Sequence, residues 1–225
     1  MKLAKPCIDI GVRTHRLDEM LAFWTGEIGL AYDHLLKIGN GVHQHRLDLN
    51  GSVFKLNHAR SPLPDTPASG YRELLIASDV DTPEKLTDPD GNAVTLVPRG
   101  LLDIQGIGIR LSTRNLAQSC AFFEQVLKAL PLAQNRFAWG TSVFLLDGDA
   151  TQPGGGMEGS GYRYVTVQVY KTDREHQAAL DQGAIEGMAP VTLGSTARIS
   201  FITDPDNNWI EISQRASLTG DLSTD

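Results

Sequence analysis

Apolar positions along the chain alternate between two periods. Spacings of three and four link Leu21, Trp24 and Ile28 in the stretch from Leu17 to Leu30, and Cys120, Phe123 and Leu127 in the stretch from Leu116 to Leu130. That spacing lines one face of a helix, so each stretch is predicted to be a helix packed along that face, with Phe23 and Phe122 beside the stripe. Elsewhere the period is two, as in Tyr164-Val165-Thr166-Val167-Gln168-Val169 and Arg198-Ile199-Ser200-Phe201-Ile202, which predicts strands. Asn50-Gly51 between two alternating runs predicts a tight hairpin, because both residues tolerate positive φ. Asp-Pro-Asp turns lead into closing strands at Val94 and Ile210. A further helix is predicted from Asp173 to Gly183.

These elements occur twice in the same order. Asp9-Ile10-Gly11-Val12-Arg13 matches Gly106-Ile107-Gly108-Ile109-Arg110, and each leads into one of the two helices. Ser52-Val53-Phe54-Lys55-Leu56 matches Ser142-Val143-Phe144-Leu145-Leu146, Gly70-Tyr71-Arg72 matches Gly161-Tyr162-Arg163, and Asp88-Pro89-Asp90-Gly91-Asn92 matches Asp204-Pro205-Asp206-Asn207-Asn208. Turn chemistry explains the last pair alone but not the shared order. The chain is therefore read as two similar domains, residues 1–100 and 101–225, the second with a short C-terminal tail. The junction near Arg99 to Asp103 is short, which makes the halves packed neighbours. The interval from Gly70 to Asp88 is much shorter than that from Gly161 to Asp204. One helix and at least one strand pair are expected to be missing from the first copy.

The repeat and its closing segment, Asp204-Pro205-Asp206-Asn207-Asn208-Trp209-Ile210-Glu211-Ile212, resemble the vicinal oxygen chelate superfamily, which includes glyoxalase I, bleomycin-resistance proteins and extradiol dioxygenases. The resemblance runs from about Cys7 to Ala216. It implies an α+β fold of tandem βαβββ modules that form two cup-shaped mixed sheets, with the second of four modules truncated. It also implies a divalent metal at the bottom of a cup, held by His or Glu from a first strand, a middle strand and a closing strand, with open positions for substrate oxygens. Carried over one at a time, those positions fall on Asp9 and Gly106, on Lys55 and Leu145, on Glu73 and Tyr164, and on Thr95 and Glu211. Glu211 alone keeps the usual ligand type.

That tally favours a metal-free site over one holding Mn, Ni, Zn or Fe, with Glu211 and Asp9 as the candidate metal ligands if a metal binds. If the modules pair across the halves, Asp9, Lys55, Tyr164 and Glu211 converge, and two carboxylates with an ammonium can form a self-satisfied cluster. Glu211, Tyr164 and Asp9 are the candidate catalytic residues; Arg110, Arg13, Lys55 and Gln168 are the candidate substrate-binding residues. Strand parity puts Gln44, Arg46, Lys55 and Asn57 on the cup face, and turns His43 and His45 to the opposite face with Leu47 and Leu49. A second face is expected to hold Arg110, Tyr164, Thr166, Gln168 and Glu211, with Glu211 able to pair with Arg110. The glycine-rich segment from Thr151 to Gly161 is either a connector or a lid.

Composition narrows the function classes. The 225 residues carry a formal net charge of −7, which argues against nucleic acid or anionic membrane as partner. No apolar run reaches the ~18 residues that span a bilayer, and the start of the sequence shows no signal-peptide pattern. A cytoplasmic protein is expected, with Cys7 and Cys120 reduced. Three functions remain open. The chain is an enzyme of lyase, isomerase or dioxygenase type on a small oxygenated metabolite, a metal-free sequestering protein of bleomycin-resistance type, or an interaction module with filled cups. A homodimer suits the truncated second module.

Overall fold

In this computed structural model, which describes residues 1–39, 41–220 and 222, the period-two runs and helical stretches fall into four successive modules. The first holds β1 (Asp9–Thr14), α1 (Leu17–Leu21, continuing as a π-helix over Ala22–Glu27), β2 (Tyr32–Gly39), β3 (Val42–Leu49) and β4 (Ser52–Ala59). The second has only β5 (Tyr71–Ser78), β6 (Glu84–Thr87) and β7 (Ala93–Pro98). The third holds β8 (Ile107–Ser112), α2 (Leu116–Gln125), β9 (Leu130–Ala133), β10 (Arg136–Trp139) and β11 (Ser142–Asp147). The fourth holds β12 (Gly161–Gln168), α3 (Thr172–Leu180), β13 (Ile185–Leu193), β14 (Ala197–Thr203) and β15 (Trp209–Arg215), followed by the single turn α4 (Ala216–Thr219). The second module is thus truncated as expected. It lacks a helix and one strand, where a strand pair was anticipated.

Local chemistry explains the boundaries. Asn115 caps α2, its side chain accepting from the Gln118 amide at 3.1 Å. Asn50 and Gly51 both take positive φ, 53° and 85°, in the β3–β4 hairpin. Phe23, Trp24, Phe122, Phe123 and Leu127 are buried, and Trp24 stacks on Phe54 with ring centroids 3.9 Å apart. One continuous core joins all four modules.

The strands form an eight-stranded sheet, β13-β14-β15-β12-β1-β4-β3-β2, and a seven-stranded sheet, β6-β7-β5-β8-β11-β10-β9. In the first, β1 and β12 run antiparallel with Asp9 opposite Thr166. In the second, β5 and β8 run antiparallel with Glu73 opposite Arg110. The outer modules therefore share one sheet and the inner modules share the other, so each half of the sequence supplies one module to each sheet.

The repeated Gly-Tyr and Asp-Pro-Asp motifs join the two sheets reciprocally. The Tyr71 hydroxyl donates to the Trp209 carbonyl at 3.0 Å, and the Tyr162 hydroxyl donates to the Ala93 carbonyl at 3.0 Å. The Gly70 amide donates to Asn208 Oδ1, and a Cβ at Gly70 would fall 2.7 Å from the Asn208 amide. A Cβ at Gly161 would fall 2.6 Å from Asn92 Oδ1. Each tight turn is tied by its first aspartate. Asp88 Oδ1 accepts from the Asp90 and Asn92 amides, and Asp204 Oδ1 from the Asp206 and Asn208 amides.

The seven-stranded sheet carries its own plug. Leu102 and Ile104, from the connector between the halves, pack with Leu75, Ala77, Val97, Val143 and Leu145. A Cβ at Gly108 would lie 2.5 Å from Ile104 Cδ1, so the glycine makes room for the plug. Glu73, Thr95, Arg110 and Asp147 form a hydrogen-bonded cluster on the same strands.

Two tests follow from this architecture. Ile104→Ala should leave a cavity over the seven-stranded sheet and lower stability by about 2–4 kcal/mol in urea unfolding. Burial pushes the Asp204 carboxyl up to about 6 from its ordinary 3.8. A raised folded-state pKa contributes stability that is full below the unfolded value and lost as pH rises through the folded one. Compared with Asp204→Asn, the native chain should therefore gain stability as pH falls from 7 towards 4, as read from urea midpoints across that range.

Candidate functional site

Parallel pairing of β1 with β4 and of β12 with β15, joined through β1 and β12, brings the four central strands of the eight-stranded sheet together. Their inward residues, two apart on each strand, form the floor of a cup. Lys55 Nζ donates to Glu211 Oε2 at 2.7 Å and to Thr166 Oγ1 at 2.6 Å, and the Thr166 hydroxyl donates to the same Glu211 oxygen at 2.6 Å. Lys55 is 2% exposed and Glu211 8%. Burial draws the Lys55 pKa below its usual value; the Glu211 and Asp9 carboxylates oppose this without cancelling it.

Asp9 shares the face of Thr166, its partner across the ladder, but does not line the cavity. Its Oδ1 accepts from Lys5 Nζ at 2.6 Å and the Val53 amide at 2.8 Å, while Oδ2 accepts from Gln168 Nε2 at 3.2 Å. Asp9 and Gln168 thus bond each other beside the floor residues on the same face of the sheet.

Tyr164 is held by a chain of fixed amides. Arg46 Nη1 donates to Gln44 Oε1 at 3.0 Å, which sets the Gln44 amide so that its Nε2 donates to Asn57 Oδ1 at 2.9 Å. Asn57 Nδ2 donates to the Val12 carbonyl at 3.0 Å. The Tyr164 oxygen then accepts from Asn57 Nδ2 at 3.1 Å and from Gln44 Nε2 at 3.4 Å. Because both neighbours donate, the phenolic proton is left to point at an acceptor in the cavity. Burial and the Glu211 charge raise the Tyr164 pKa, keeping it protonated. Gly11 makes room for its ring, since a Cβ there would lie 2.1 Å from Tyr164 Cε1.

Above the floor is a cavity of about 860 Å³. Leu36, Ile38 and Val42 from β2 and β3 line one side, and Met188, Val191 and Leu193 from edge strand β13 line another. Arg13 stands at the rim, where its Nη1 donates to the Met157 carbonyl at 3.0 Å and to Glu158 at 3.2 Å. The loop that carries Met157 and Glu158 is stapled by Arg163, which donates to the carbonyls of Ser160, Pro67 and Gly156.

The structure brings Lys55, Tyr164 and Glu211 into one cavity, with Arg13 at its edge. Arg110, expected beside Glu211, lies instead in the seven-stranded sheet. β8 pairs with β5 and β11, so Arg110 binds Glu73 and Asp147, each at 2.9 Å, and Glu211 pairs with Lys55. The first-strand position assigned to Tyr164 belongs to Thr166, which is the residue opposite Asp9. Parity placed the histidines on the expected side: His45 Nδ1 meets the Tyr32 hydroxyl at 3.1 Å, while Gln44 takes part in the cup network. Arg215, which lines the cavity, was missed, although it follows Glu211 and Ser213 at strand period.

The metal that the resemblance implies does not fit this donor set. Lys55 contributes an ammonium where a ligand is needed, and it already bonds the Glu211 oxygen. Among the described residues no group of three or more His, Cys, Asp or Glu is placed to hold an ion.

Two βαβββ modules sharing a curled sheet around a polar floor define a paired glyoxalase-type fold. Residues 107–212 match the model of the Glyoxalase/Bleomycin resistance protein/Dioxygenase superfamily, and that stretch is similar to its members. Glyoxalase I from Zea mays has a similar structure, with a TM-score of 0.72 at 16% identity over 92% of each chain. A mutant of that enzyme gives a TM-score of 0.75 at 16% identity, covering 96% of this chain and 97% of the other. A dioxygenase candidate from Bacillus subtilis subsp. subtilis str. 168 gives 0.67 at 14% identity, covering 99% and 92%. At these identities the likenesses show the fold alone. No curated protein matches the sequence.

Glu211→Gln should leave the Lys55 ammonium buried without its carboxylate and cost about 3–5 kcal/mol in urea unfolding. The double variant Lys55→Met/Glu211→Gln, which removes the buried charge as well, should be more stable than Glu211→Gln alone.

Proposed function

We propose that this protein is a metal-independent enzyme of isomerase or lyase type that acts on a small carbonyl-bearing metabolite held in the cup of the eight-stranded sheet. The observation that carries this reading is the pairing, in one cavity, of a hydroxyl fixed as a donor with a carboxylate fixed by an ammonium. Lys55 and Thr166 both bond Glu211 Oε2, so Oε1 is the oxygen that faces a ligand. Tyr164 offers its proton to the substrate carbonyl oxygen.

In the proposed step, Glu211 takes a proton from the carbon beside the carbonyl. The C–H electron pair forms the new carbon–carbon double bond as the carbonyl electrons move to oxygen, where the Tyr164 O–H stabilises the enolate. Return of the proton to the other face or to the neighbouring carbon gives an isomer; loss of a leaving group from the next carbon gives a lyase reaction. Lys55 keeps Glu211 in place and compensates its charge. The second reading, sequestration without chemistry, is favoured by the way Lys55 already satisfies Glu211. The location is proposed as cytoplasmic. The exposed Leu130 and Leu132 on edge strand β9 support a homodimer.

The test uses chelator-treated protein incubated in D₂O with a panel of short-chain 2-oxo acids and 2-hydroxy ketones, followed by NMR. Deuterium wash-in next to a carbonyl, lost in Glu211→Gln and unchanged by added metal, is expected. Exchange that appears only when Mn²⁺, Ni²⁺, Zn²⁺ or Fe²⁺ is restored would overturn the metal-independent reading.

A further inference from the structure

The cup holds more positive charge than its own carboxylates answer. Lys55 has Glu211, and Arg13 has Glu158. The carboxylate of Asp9 is engaged by Lys5. Arg46 and Arg215 have no carboxylate within ion-pair distance among the described residues. Arg46 is 5% exposed, its Nη1 donates to the neutral Gln44 side chain, and its buried Nε has no partner. Arg215 lines the cavity; burial, and then repulsion by Arg46, holds its pKa below the usual value, and the Glu211, Asp9 and Asp33 carboxylates, beyond ion-pair distance, oppose this without cancelling it. Two guanidinium groups without an ion-pair partner, Arg215 on the cavity wall and Arg46 buried near it, are costly unless an anion joins them.

The opposite feature lies at the mouth. Edge strands β2 and β13 face the same cavity from the two ends of the sheet, with Leu36, Ile38, Met188, Val191 and Leu193 on its wall. Ile38 and Leu193 are 49% and 47% exposed, and grouped with Leu36, Met188 and Val191 they make an apolar wall that suits an apolar ligand body.

We propose that the ligand of this cup is an amphipathic organic anion, with its oxyanion on Arg215 backed by Arg46 and its apolar body between the edge strands β2 and β13. This rests on the reading of the cup as the substrate site and names the substrate class. The carbonyl that meets Tyr164 lies between the anionic head and the floor, within reach of Glu211. Arg215 selects the anion and takes no part in proton transfer.

Isothermal titration calorimetry with octanoate and its neutral isostere octanamide tests this. Octanoate should bind about tenfold more tightly than octanamide, the advantage expected of a charge-assisted contact. Arg215→Gln should abolish that preference while leaving octanamide affinity unchanged, and Ile38→Asp, at an exposed position, should weaken both probes. Equal affinity for the two probes, or a preference that survives Arg215→Gln, overturns the anion assignment and leaves the cup as a ligand site. Failure of both probes to bind overturns the assignment and the site together. A clear octanoate preference without deuterium exchange in the carbonyl panel removes the proposed reaction and leaves the anion assignment standing.

Discussion

The first strand of a βαβββ module has a neighbour on one side only, and the open edge must find a partner. Here β1 takes β12 and β5 takes β8, both antiparallel. Everything in the cup depends on that choice. It sets Asp9 opposite Thr166 and puts Lys55 from the first module against Glu211 from the fourth, in residues separated by most of the chain. A strand edge left bare would expose a row of unpaired amides and carbonyls, so the pairing is needed for the fold before it is useful to a site.

Pairing in this way gathers charge at the junction, and the two sheets resolve it differently. In the seven-stranded sheet, Arg110 is answered by Glu73 and Asp147, and the space above is filled by Leu102 and Ile104. Charge and volume are both satisfied from within. In the eight-stranded sheet, Lys55 is satisfied, but Arg46 and Arg215 are left without carboxylates among the described residues and the cavity stays open. The absence of a helix and a strand from the second module accompanies the plugged cup, so the two sheets have diverged, one filled from within and one left open.

How much of this was legible in the sequence depends on the distance over which each feature is set. The modules, the shortened second unit and the Asn50-Gly51 hairpin follow from local periodicity and turn chemistry, and the sheet parity of Gln44 and His45 follows from them. The convergence of Asp9, Lys55, Tyr164 and Glu211 was one of two pairings open at that level, because the partner of β1 is chosen by packing between modules. The same ambiguity put Arg110 in the wrong cup. Thr166 was displaced by two residues because the Gly-Tyr-Arg motif anchors the sheet junction at Asn92 and Asn208, not the floor position opposite Asp9. The plug left no periodic signal: Leu102 reaches its place through a left-handed backbone, φ 54°, that a leucine rarely adopts.

The ammonium of Lys55 gives the cup its chemical character. A divalent ion polarises a carbonyl as a Lewis acid and can be removed; an ammonium bonded to Glu211 and Thr166 is part of the chain and carries one charge, already matched. In the proposed reaction, polarisation of the substrate comes from a neutral donor, and the Arg46–Gln44–Asn57 relay leaves the Tyr164 proton for that purpose. The relay also ties the donor to the anion-binding side of the cup, because the Arg46 that orients Gln44 is the guanidinium behind Arg215. An anion seated on Arg215 would offset the repulsion between the two guanidiniums and so hold Arg46, Gln44 and Tyr164 in their donating arrangement. In the proposed reaction, substrate charge and donor geometry are coupled through one arginine, and neither draws on a metal.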